Sequence, residues 1–397
     1  MIGPDGEARL ERLGLLAMAV SLCFLFLVVT ALVTILRDPY QMDFVSFWAA
    51  GRLGLEGQAP LAYDFEAHRA VELQATMVAG IPFGYPPAFL ILAAPFAHFP
   101  YPPAAVAWVI LTWLAYAVAV RLWAPGAFWL AMAMPPLLIN AITGQVGFLI
   151  AALFIGGMTL LPKRPLLGGV LLGLIILKPQ LGLAIPFVLA AGREWRAFIG
   201  AALSAAGLLL LGLLLFGPDS YRAWFGNAGL YSSVVADGLA GWQRMASVYS
   251  ALRFDGLGAA PAWIAQGVVA VAAIAAACLI WHRKAGWGAR AGALAAATAL
   301  ASPYLFGYDT LLLVMPFAWL LSRGRHRLLL ALCWALMLLG LLQGLGWAGG
   351  PSLAPLVPVI LLALIWREAQ RAPEPDSLGL SASASEAVPE PRLAGAG

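Results

Sequence analysis

The sequence contains few charged residues, and its charges do not gather into an acidic or basic region. Only 11% of the 397 residues are charged, whereas 62% are hydrophobic. Because globular domains carry about 25% charged residues, this composition excludes an ordinary soluble protein. The net charge of +4 lies in short basic clusters at the ends of apolar runs. That arrangement is typical of topology signals in membrane proteins, so we expect no nucleic-acid partner.

Motifs for metals, disulfides and nucleotides are also missing. Cys23, Cys278 and Cys333 each lie inside an apolar run, and none belongs to a CxxC pair. We therefore expect small buried side chains rather than ligands or a disulfide framework. The sequence has no P-loop, dinucleotide-binding glycine loop or nucleophile elbow, and no DxD pair follows the first apolar run. These absences predict no metal and no cofactor, and they argue against ATP or a nucleotide-sugar donor.

Apolar runs of roughly 20 residues, the length of a transmembrane helix, recur along most of the chain. They are continuously apolar rather than alternating, which favours helices over the strands of a membrane barrel. The sequence thus predicts an all-α polytopic membrane protein with a transmembrane domain over residues 1–371. Residues 372–397 are rich in Pro, Ala, Ser and Glu, which predicts a disordered cytoplasmic tail. The first run, Gly14 to Leu36, is too long for a signal peptide and is expected to remain as a span.

If the basic clusters are all cytoplasmic, the chain crosses the membrane about twelve times with both termini inside. Residues 85–100 are apolar but short and bounded by prolines, so we interpret them as a re-entrant or surface-lying segment. The first outer loop then holds an amphipathic helix over Asp43 to Glu56 and a second helix over 65–78, with His68 on an exposed surface. The predicted spans are 14–36, 103–122, 126–141, 145–161, 165–178, 180–191, 197–216, 261–281, 289–301, 310–322, 328–346 and 352–366.

This threading brings most of the polar residues of interest to one outer face, which predicts a site built from several loops. Each residue allows two interpretations. Asp43 is either a helix N-cap or a general base for a sugar hydroxyl. Lys178, beside the helix-breaking Pro179, either reaches the headgroups or neutralises a lipid phosphate. The amides of Asn140 and Gln145 either complete a tight turn or bind sugar hydroxyls.

The same two interpretations apply to the later outer segments. Tyr304, Tyr308 and Asp309 mark an outer turn, where tyrosines are commonly interface anchors but can also line a site. Arg244 and Arg253 run against the excess of basic residues expected on the inner side, which indicates an anionic partner.

Several short motifs occur in a fixed order and together resemble one enzyme family. They are Asp43-Phe44, Phe47 to Arg52, Gly57 to Pro60, Ala62 to Asp64, Phe83 to Pro87, Asn140 with Gly144-Gln145, Lys178 to Gln180, Ser302 to Tyr304, and Tyr308-Asp309. With these motifs the chain resembles glycosyltransferase family 87, formerly a domain of unknown function, over roughly residues 14–325.

The resemblance implies a GT-C fold and an inverting transfer of a sugar, mannose among the candidates, from a polyprenyl-phosphate donor to a lipid or glycan acceptor. It implies that Asp43 is the catalytic base, in a bacterial inner-membrane protein whose site faces the periplasm among membrane lipids. Lys178 and Arg244 are expected at the donor phosphate. The residues expected at the substrates are Arg52, Tyr63, Asp64, Tyr85, Asn140, Gln145, Gln180, Tyr304, Tyr308 and Asp309.

Two other functions remain open from the sequence. The break at Pro179 also suits a transporter or lipid flippase, although the sequence shows no repeated halves and no buried coupling acids. An enzyme like the O-antigen ligases, which uses a diphosphate-linked glycan, is the third possibility. That function predicts more cationic residues in the outer loops than this chain has.

Overall fold

The structure is a computed structural model that describes residues 43–76 and 80–371. The predicted first span at Gly14 to Leu36, the residue Cys23 and the predicted tail at 372–397 lie outside the described residues. Within the described part every regular element is helical, and Met245 and Phe306 form an isolated antiparallel bridge. The α-helices are α1 (Phe44–Leu55), α2 (Phe65–Ala75), α3 (Leu90–Ala97), α4 (Tyr101–Trp123), α5 (Phe128–Met132), α6 (Pro135–Thr143), α7 (Gly147–Leu160), α8 (Pro165–Gly173), α9 (Ile185–Ala191), α10 (Trp195–Gly226), α11 (Ala228–Ala236), α12 (Val248–Phe254), α13 (Ala259–His282), α14 (Trp287–Ala301), α15 (Val314–Ser322), α16 (Arg327–Gly344) and α17 (Leu356–Ala369).

Four helical stretches among the described residues are long and apolar enough to cross a membrane, and a bent pair makes five. The pair is α5 with α6, which meet at an angle of 62°. The four stretches are α4, α10 continuing into α11, α13 and α16. The remaining apolar helices are shorter, so the predicted membrane class agrees with the structure while the number of twelve spans remains a prediction.

The longest stretch presents leucines to its surroundings. Leu203 and Leu214 of α10 are 65% and 73% exposed, as expected for side chains that face lipid. The helix bends at Gly217, whose φ of 75° only glycine adopts readily, and Pro218 follows. The other face of α10 packs closely on α8, where the backbone of Ala197 lies against Gly169 and leaves no room for a Cβ atom.

Helix α1 forms where it was predicted, but it is enclosed rather than amphipathic. Val45, Ala49 and Ala50 on one side are as buried as Phe44 and Phe47 on the other. The ring of Phe44 stacks on Trp108 at 5.5 Å, and Phe47 lies 4.9 Å from Phe89, between ring centroids. The interpretation of a helix lying along the membrane surface is therefore wrong. The aromatic stripe is the face that packs on α4 and on the segment before α3.

Two segments predicted to be irregular interrupt the long helices. Residues 87–97 form a 3₁₀ turn at Pro87–Phe89 followed by the eight-residue helix α3. This helix rises only about 12 Å, against a hydrocarbon core of roughly 30 Å, and its re-entrant or surface-lying placement stays a prediction. Near Lys178 the chain leaves the helical path, with 3₁₀ turns at Leu174–Leu177 and Pro179–Leu181 on either side. Proline cannot donate the next helical hydrogen bond, which accounts for the break.

Candidate active site

Asp43 occupies the N-cap position of α1, but its side chain does not cap the helix. Its backbone is already helical, with φ −58° and ψ −18°, whereas a capping residue has extended dihedrals. The carboxylate instead accepts a hydrogen bond from the Gln145 amide, with Nε2 3.0 Å from Oδ2. The capping interpretation is therefore wrong, and the carboxylate is held by a residue from another part of the chain.

Gln145 is fixed in the orientation that this contact needs. Helix α6 ends at Gly144, whose left-handed φ of 63° turns the chain towards α7. The indole of Trp108 donates to the Gly144 carbonyl at 2.8 Å. The Tyr85 hydroxyl donates to Gln145 Oε1 at 3.2 Å, so the amide NH₂ group points towards Asp43. Gln145 thus links the predicted base to the loop that carries Tyr85.

The electrostatic surroundings of Asp43 act in opposite directions. Burial raises the pKa of the carboxyl above its usual 3.8, and this effect exceeds the lowering by the Gln145 hydrogen bond. The positive charge of Arg244 also lowers the pKa, while the negative charge of Glu72 raises it. A carboxylate with a raised pKa is a stronger base than a free aspartate, which suits proton removal near neutral pH.

Arg244 comes from a distant loop that is tied to the site by its backbone. It ends the 3₁₀ turn Trp242–Arg244 and is exposed. The following residues pair with the outer turn before α15: Met245 bridges to Phe306, and the Ala246 amide donates to the Leu305 carbonyl at 2.7 Å. Among the described residues its guanidinium forms no ion pair, so its charge is available to an anionic ligand.

Lys178 is buried, and its charge is neutralised inside the protein. The ammonium lies 2.7 Å from both carboxylate oxygens of Asp309, and each side chain is almost fully enclosed. Asp309 Oδ2 also accepts from the Phe306 backbone amide at 3.1 Å. The ammonium lies 4.6 Å from the ring centre of Tyr308, a cation–π contact. A lysine reaching the headgroups is therefore excluded, and the pairing with Asp309 was not predicted.

The carboxylate and the ion pair belong to the same cluster. Burial raises the pKa of the Tyr85 hydroxyl, and the negative charges of both Asp309 and Asp43 raise it further, so Tyr85 interacts with both carboxylates. Asn140 joins the two halves through the backbone, because its Nδ2 donates to the Tyr308 carbonyl at 2.7 Å. Asn140 thus completes a turn, as one of the two interpretations predicted.

Three other residues predicted at the substrates, Tyr63, Asp64 and Arg52, make contacts that stabilise the protein itself. Tyr63 is buried and donates to the Tyr85 carbonyl at 2.9 Å, which supports the site from behind. Asp64 is exposed and caps α2 by accepting from the Ala67 amide, and Arg52 pairs with Glu56 at the surface. Neither reaches the Asp43 cluster.

Tyr304 and Gln180 are the last two predicted residues. Tyr304 packs near Trp263, at 6.1 Å between ring centres, in a separate small apolar cluster. Gln180 is half-buried in the turn after Lys178.

Two buried residues near the site, His68 and Glu72, were not among the predicted site residues. His68, expected on an exposed surface, is 2% exposed, and Glu72 on the next turn of α2 is fully buried. The expectation for His68 was wrong because α2 packs its His68 face against α1. A histidine and a glutamate four residues apart on one helix face was the signal in the sequence.

The charged groups of this cluster are the Asp43 carboxylate, the Lys178–Asp309 ion pair and the Arg244 guanidinium. Residues 43–76 and 80–371 contain no group of three His, Cys, Asp or Glu side chains that could hold a metal ion. The two described cysteines, Cys278 and Cys333, are free.

Residues 83–303, more than half of the chain, match the family model of glycosyltransferase family 87. The chain therefore belongs to glycosyltransferase family 87, and it is a helical membrane protein of the glycosyltransferase class. Tyr85, Asn140, Gln145, Lys178 and Arg244 lie within the matched residues, whereas Asp43 and Asp309 lie outside them.

A curated relative is similar over part of the chain. It is the polyprenol-phosphate-mannose-dependent alpha-(1-2)-phosphatidylinositol mannoside mannosyltransferase of Mycobacterium tuberculosis, 27% identical over 219 residues. The alignment covers 47% of this chain and 48% of the relative. The chain thus spans about half the length of the curated relative it matches. No solved structure matches the chain.

Proposed function

We propose that the protein is an inverting glycosyltransferase that moves a sugar, with mannose the first candidate, from a polyprenyl-phosphate donor to a lipid or glycan acceptor. Family membership supports sugar transfer. The donor class is suggested by the activity of the mycobacterial relative, and the apolar helices suit a donor whose tail stays in lipid.

The observation that carries this proposal is the state of Asp43. Its carboxylate does not cap α1, accepts a hydrogen bond from Gln145 and is largely shielded from water. In the proposed reaction it takes the proton of the acceptor hydroxyl as that oxygen attacks the anomeric carbon. The bond from the anomeric carbon to the phosphate oxygen breaks, and polyprenyl phosphate leaves with the electron pair. Substitution at a sugar carbon passes through a state with positive charge on the ring.

Arg244 is assigned to the departing phosphate. A cation placed where negative charge develops lowers the barrier more than one that is already neutralised. Arg244 is exposed and its charge acts on Asp43, whereas the charge of Lys178 is bound by Asp309. We therefore revise the role of Lys178 from phosphate ligand to the buried support of the turn that carries Tyr308.

The proposed location follows from the positions of the basic clusters. With about twelve crossings and cytoplasmic ends, the Asp43 cluster would lie on the periplasmic side of the bacterial inner membrane. The donor would then enter from the outer leaflet. Cysteine labelling of an exposed position in the same predicted outer loop, such as Glu56 at the far end of α1, from outside intact spheroplasts tests this orientation.

The test of the function is sugar transfer by purified protein in liposomes, with labelled polyprenyl-phosphate mannose and a lipid extract as acceptor source. Asp43→Asn should lower the transfer rate by about 10²- to 10⁴-fold, the usual contribution of a general base. Asn keeps an oxygen for the Gln145 amide, so the fold should persist. The matched control is Asp219→Asn, which removes a surface carboxylate that is 70% exposed.

Thermal stability separates chemistry from folding. Because the pKa of Asp43 is raised in the folded state, the protonated carboxyl favours folding. This stabilisation is fully present below the pKa of the unfolded chain and is lost as pH rises through the pKa of the folded protein. At neutral pH the Asn variant should therefore be at least as stable as the wild type. Wild-type transfer by Asp43→Asn would overturn the assignment of the base. Movement of the labelled lipid across the bilayer without sugar transfer would favour a flippase.

A further inference from the structure

We propose that His68 and Glu72 are positioning residues for the catalytic carboxylate, a role that rests on the proposed function. They form a buried pair that connects the start of α1 with the segment leading to Tyr85. Their side-chain hydrogen bonds to described residues join Ser46, Gly80 and Ile81 rather than Asp43 or Gln145, so they act through other groups rather than on the substrate.

The pair is enclosed and only partly satisfied, which is unusual for ionisable side chains. His68 Nε2 lies 3.4 Å from Glu72 Oε1, with 2% and 0% of the side chains exposed. Glu72 Oε1 and His68 Nδ1 form no hydrogen bond with a described residue. Buried polar atoms of this kind cost stability. Their presence beside an active carboxylate therefore points to a functional constraint.

One end of the pair holds the helix that carries Asp43. His68 Nε2 is 3.2 Å from the hydroxyl of Ser46, and the Ser46 amide donates to the Asp43 carbonyl at 3.1 Å. Ser46 thus lies in the first turn of α1, three residues after the catalytic residue. A change in the His68 ring would shift the start of α1 and with it the Asp43 side chain.

The other end holds the segment that carries Tyr85. Glu72 Oε2 accepts hydrogen bonds from two successive backbone amides, those of Gly80 and Ile81, the second at 3.3 Å. The chain then continues to Phe83, whose ring stacks on His68 at 6.2 Å. Tyr85 follows and orients Gln145. The two segments that place Asp43 therefore meet at one His–Glu pair.

The charge of Glu72 also reaches Asp43. It opposes ionisation of the catalytic carboxyl, whereas Arg244 and the Gln145 hydrogen bond favour it. A carboxylate held beside a second negative charge is a stronger base. The groups that interact with Asp43 through a hydrogen bond or through charge are Gln145, Arg244, Glu72, Tyr85, Tyr101 and Tyr308.

Glu72→Gln removes this charge and leaves one oxygen to accept backbone hydrogen bonds. Because Glu72 raises the pKa of Asp43, its removal should move the acid limb of the kcat profile to lower pH. The plateau rate should fall several-fold, since a weaker base removes the acceptor proton less readily. A purely structural role would lower the rate at every pH and leave the acid limb in place.

The matched control is Glu66→Gln on the same helix, whose carboxylate is 77% exposed and pairs with Arg69 at 3.6 Å. Glu66→Gln should leave both the acid limb of the kcat profile and the plateau rate unchanged. Ser46→Ala provides a second, smaller change that keeps the charge of Glu72. It should lower kcat several-fold while the KM for polyprenyl-phosphate mannose and the acid limb stay constant.

The outcomes distinguish this inference from the proposed function. An inactive Asp43→Asn variant together with an unshifted acid limb in Glu72→Gln would overturn the role of the pair alone. If Glu72→Gln does not fold, Ser46→Ala decides, and an unchanged kcat overturns the inference. Full activity of Asp43→Asn would instead remove the proposed function from which the inference starts.

Discussion

Breaking the Lys178–Asp309 pair should reveal whether this lysine supports the site or serves the donor. Lys178→Met leaves the buried Asp309 carboxylate without its counter-ion, and Asp309→Asn leaves the buried Lys178 ammonium without its counter-ion. Both side chains are nearly inaccessible, and the ammonium contacts both carboxylate oxygens at 2.7 Å. Removal of one partner from a buried pair costs about 3–5 kcal/mol, which we expect for each single variant.

The double variant should behave differently because it contains no uncompensated charge. The side-chain amide that Asp309→Asn introduces still offers an oxygen to the Phe306 backbone amide, which replaces the bond that the carboxylate accepts at 3.1 Å. The stability of the double variant should therefore lie within about 1–2 kcal/mol of the wild type. The difference between the double variant and the sum of the singles measures the coupling between the two side chains. We expect this coupling to be about 3 kcal/mol or more.

The assay is reversible unfolding of purified protein in mixed micelles, followed by tryptophan fluorescence. Lys284→Met is the control, since Lys284 is 54% exposed and lies 3.3 Å from Glu194 in a surface pair. Its loss should cost about 1 kcal/mol or less. If the single costs simply add in the double variant, the pair does not stabilise the fold as described. If Lys178→Met keeps full stability and loses only donor affinity, the original assignment to the phosphate is restored.

Two further predictions concern the rest of the cluster. Arg244→Gln should raise the KM for polyprenyl-phosphate mannose about tenfold or more, as expected for a lost charge-assisted bond to phosphate of roughly 1.5–3 kcal/mol; an unchanged donor KM would contradict the assignment. Gly147→Ala should destabilise the protein by about 1–3 kcal/mol and reduce transfer, because the new Cβ would lie 2.6 Å from the Tyr308 carbonyl oxygen and against the Asn140 side chain. Transfer assays and thermal unfolding of Gly147→Ala check this prediction. A stable, fully active variant would show that the turn can move to make room for the added methyl group.

Much of the helical pattern could be predicted because apolar length and proline position leave few choices. The predicted spans 103–122, 261–281 and 328–346 correspond to Tyr101–Trp123, Ala259–His282 and Arg327–Gly344. Each has a long continuous apolar run with polar or proline residues at its ends. The break at Lys178 was also predictable, since Pro179 cannot continue a helix.

The contacts within the site could not be read from the chain. Asp43 and Gln145 are 102 positions apart, and Lys178 and Asp309 are 131 apart. Periodicity and local propensity describe neighbours in sequence, whereas these pairs depend on how helices pack. The same reason explains the error at His68: its helix is polar enough to be a surface helix, and only the packing of α2 on α1 makes that face buried.

The long separation between Lys178 and Asp309 has a consequence for biosynthesis. At about 5–20 residues per second, the lysine emerges from the ribosome many seconds before its counter-ion exists. During that interval a charge lies between two apolar segments, at a cost of roughly 2.5–3.5 kcal/mol if it enters the bilayer centre. We therefore expect segments 165–177 and 179–191 to reach their final depth only after the residues around Asp309 have been made.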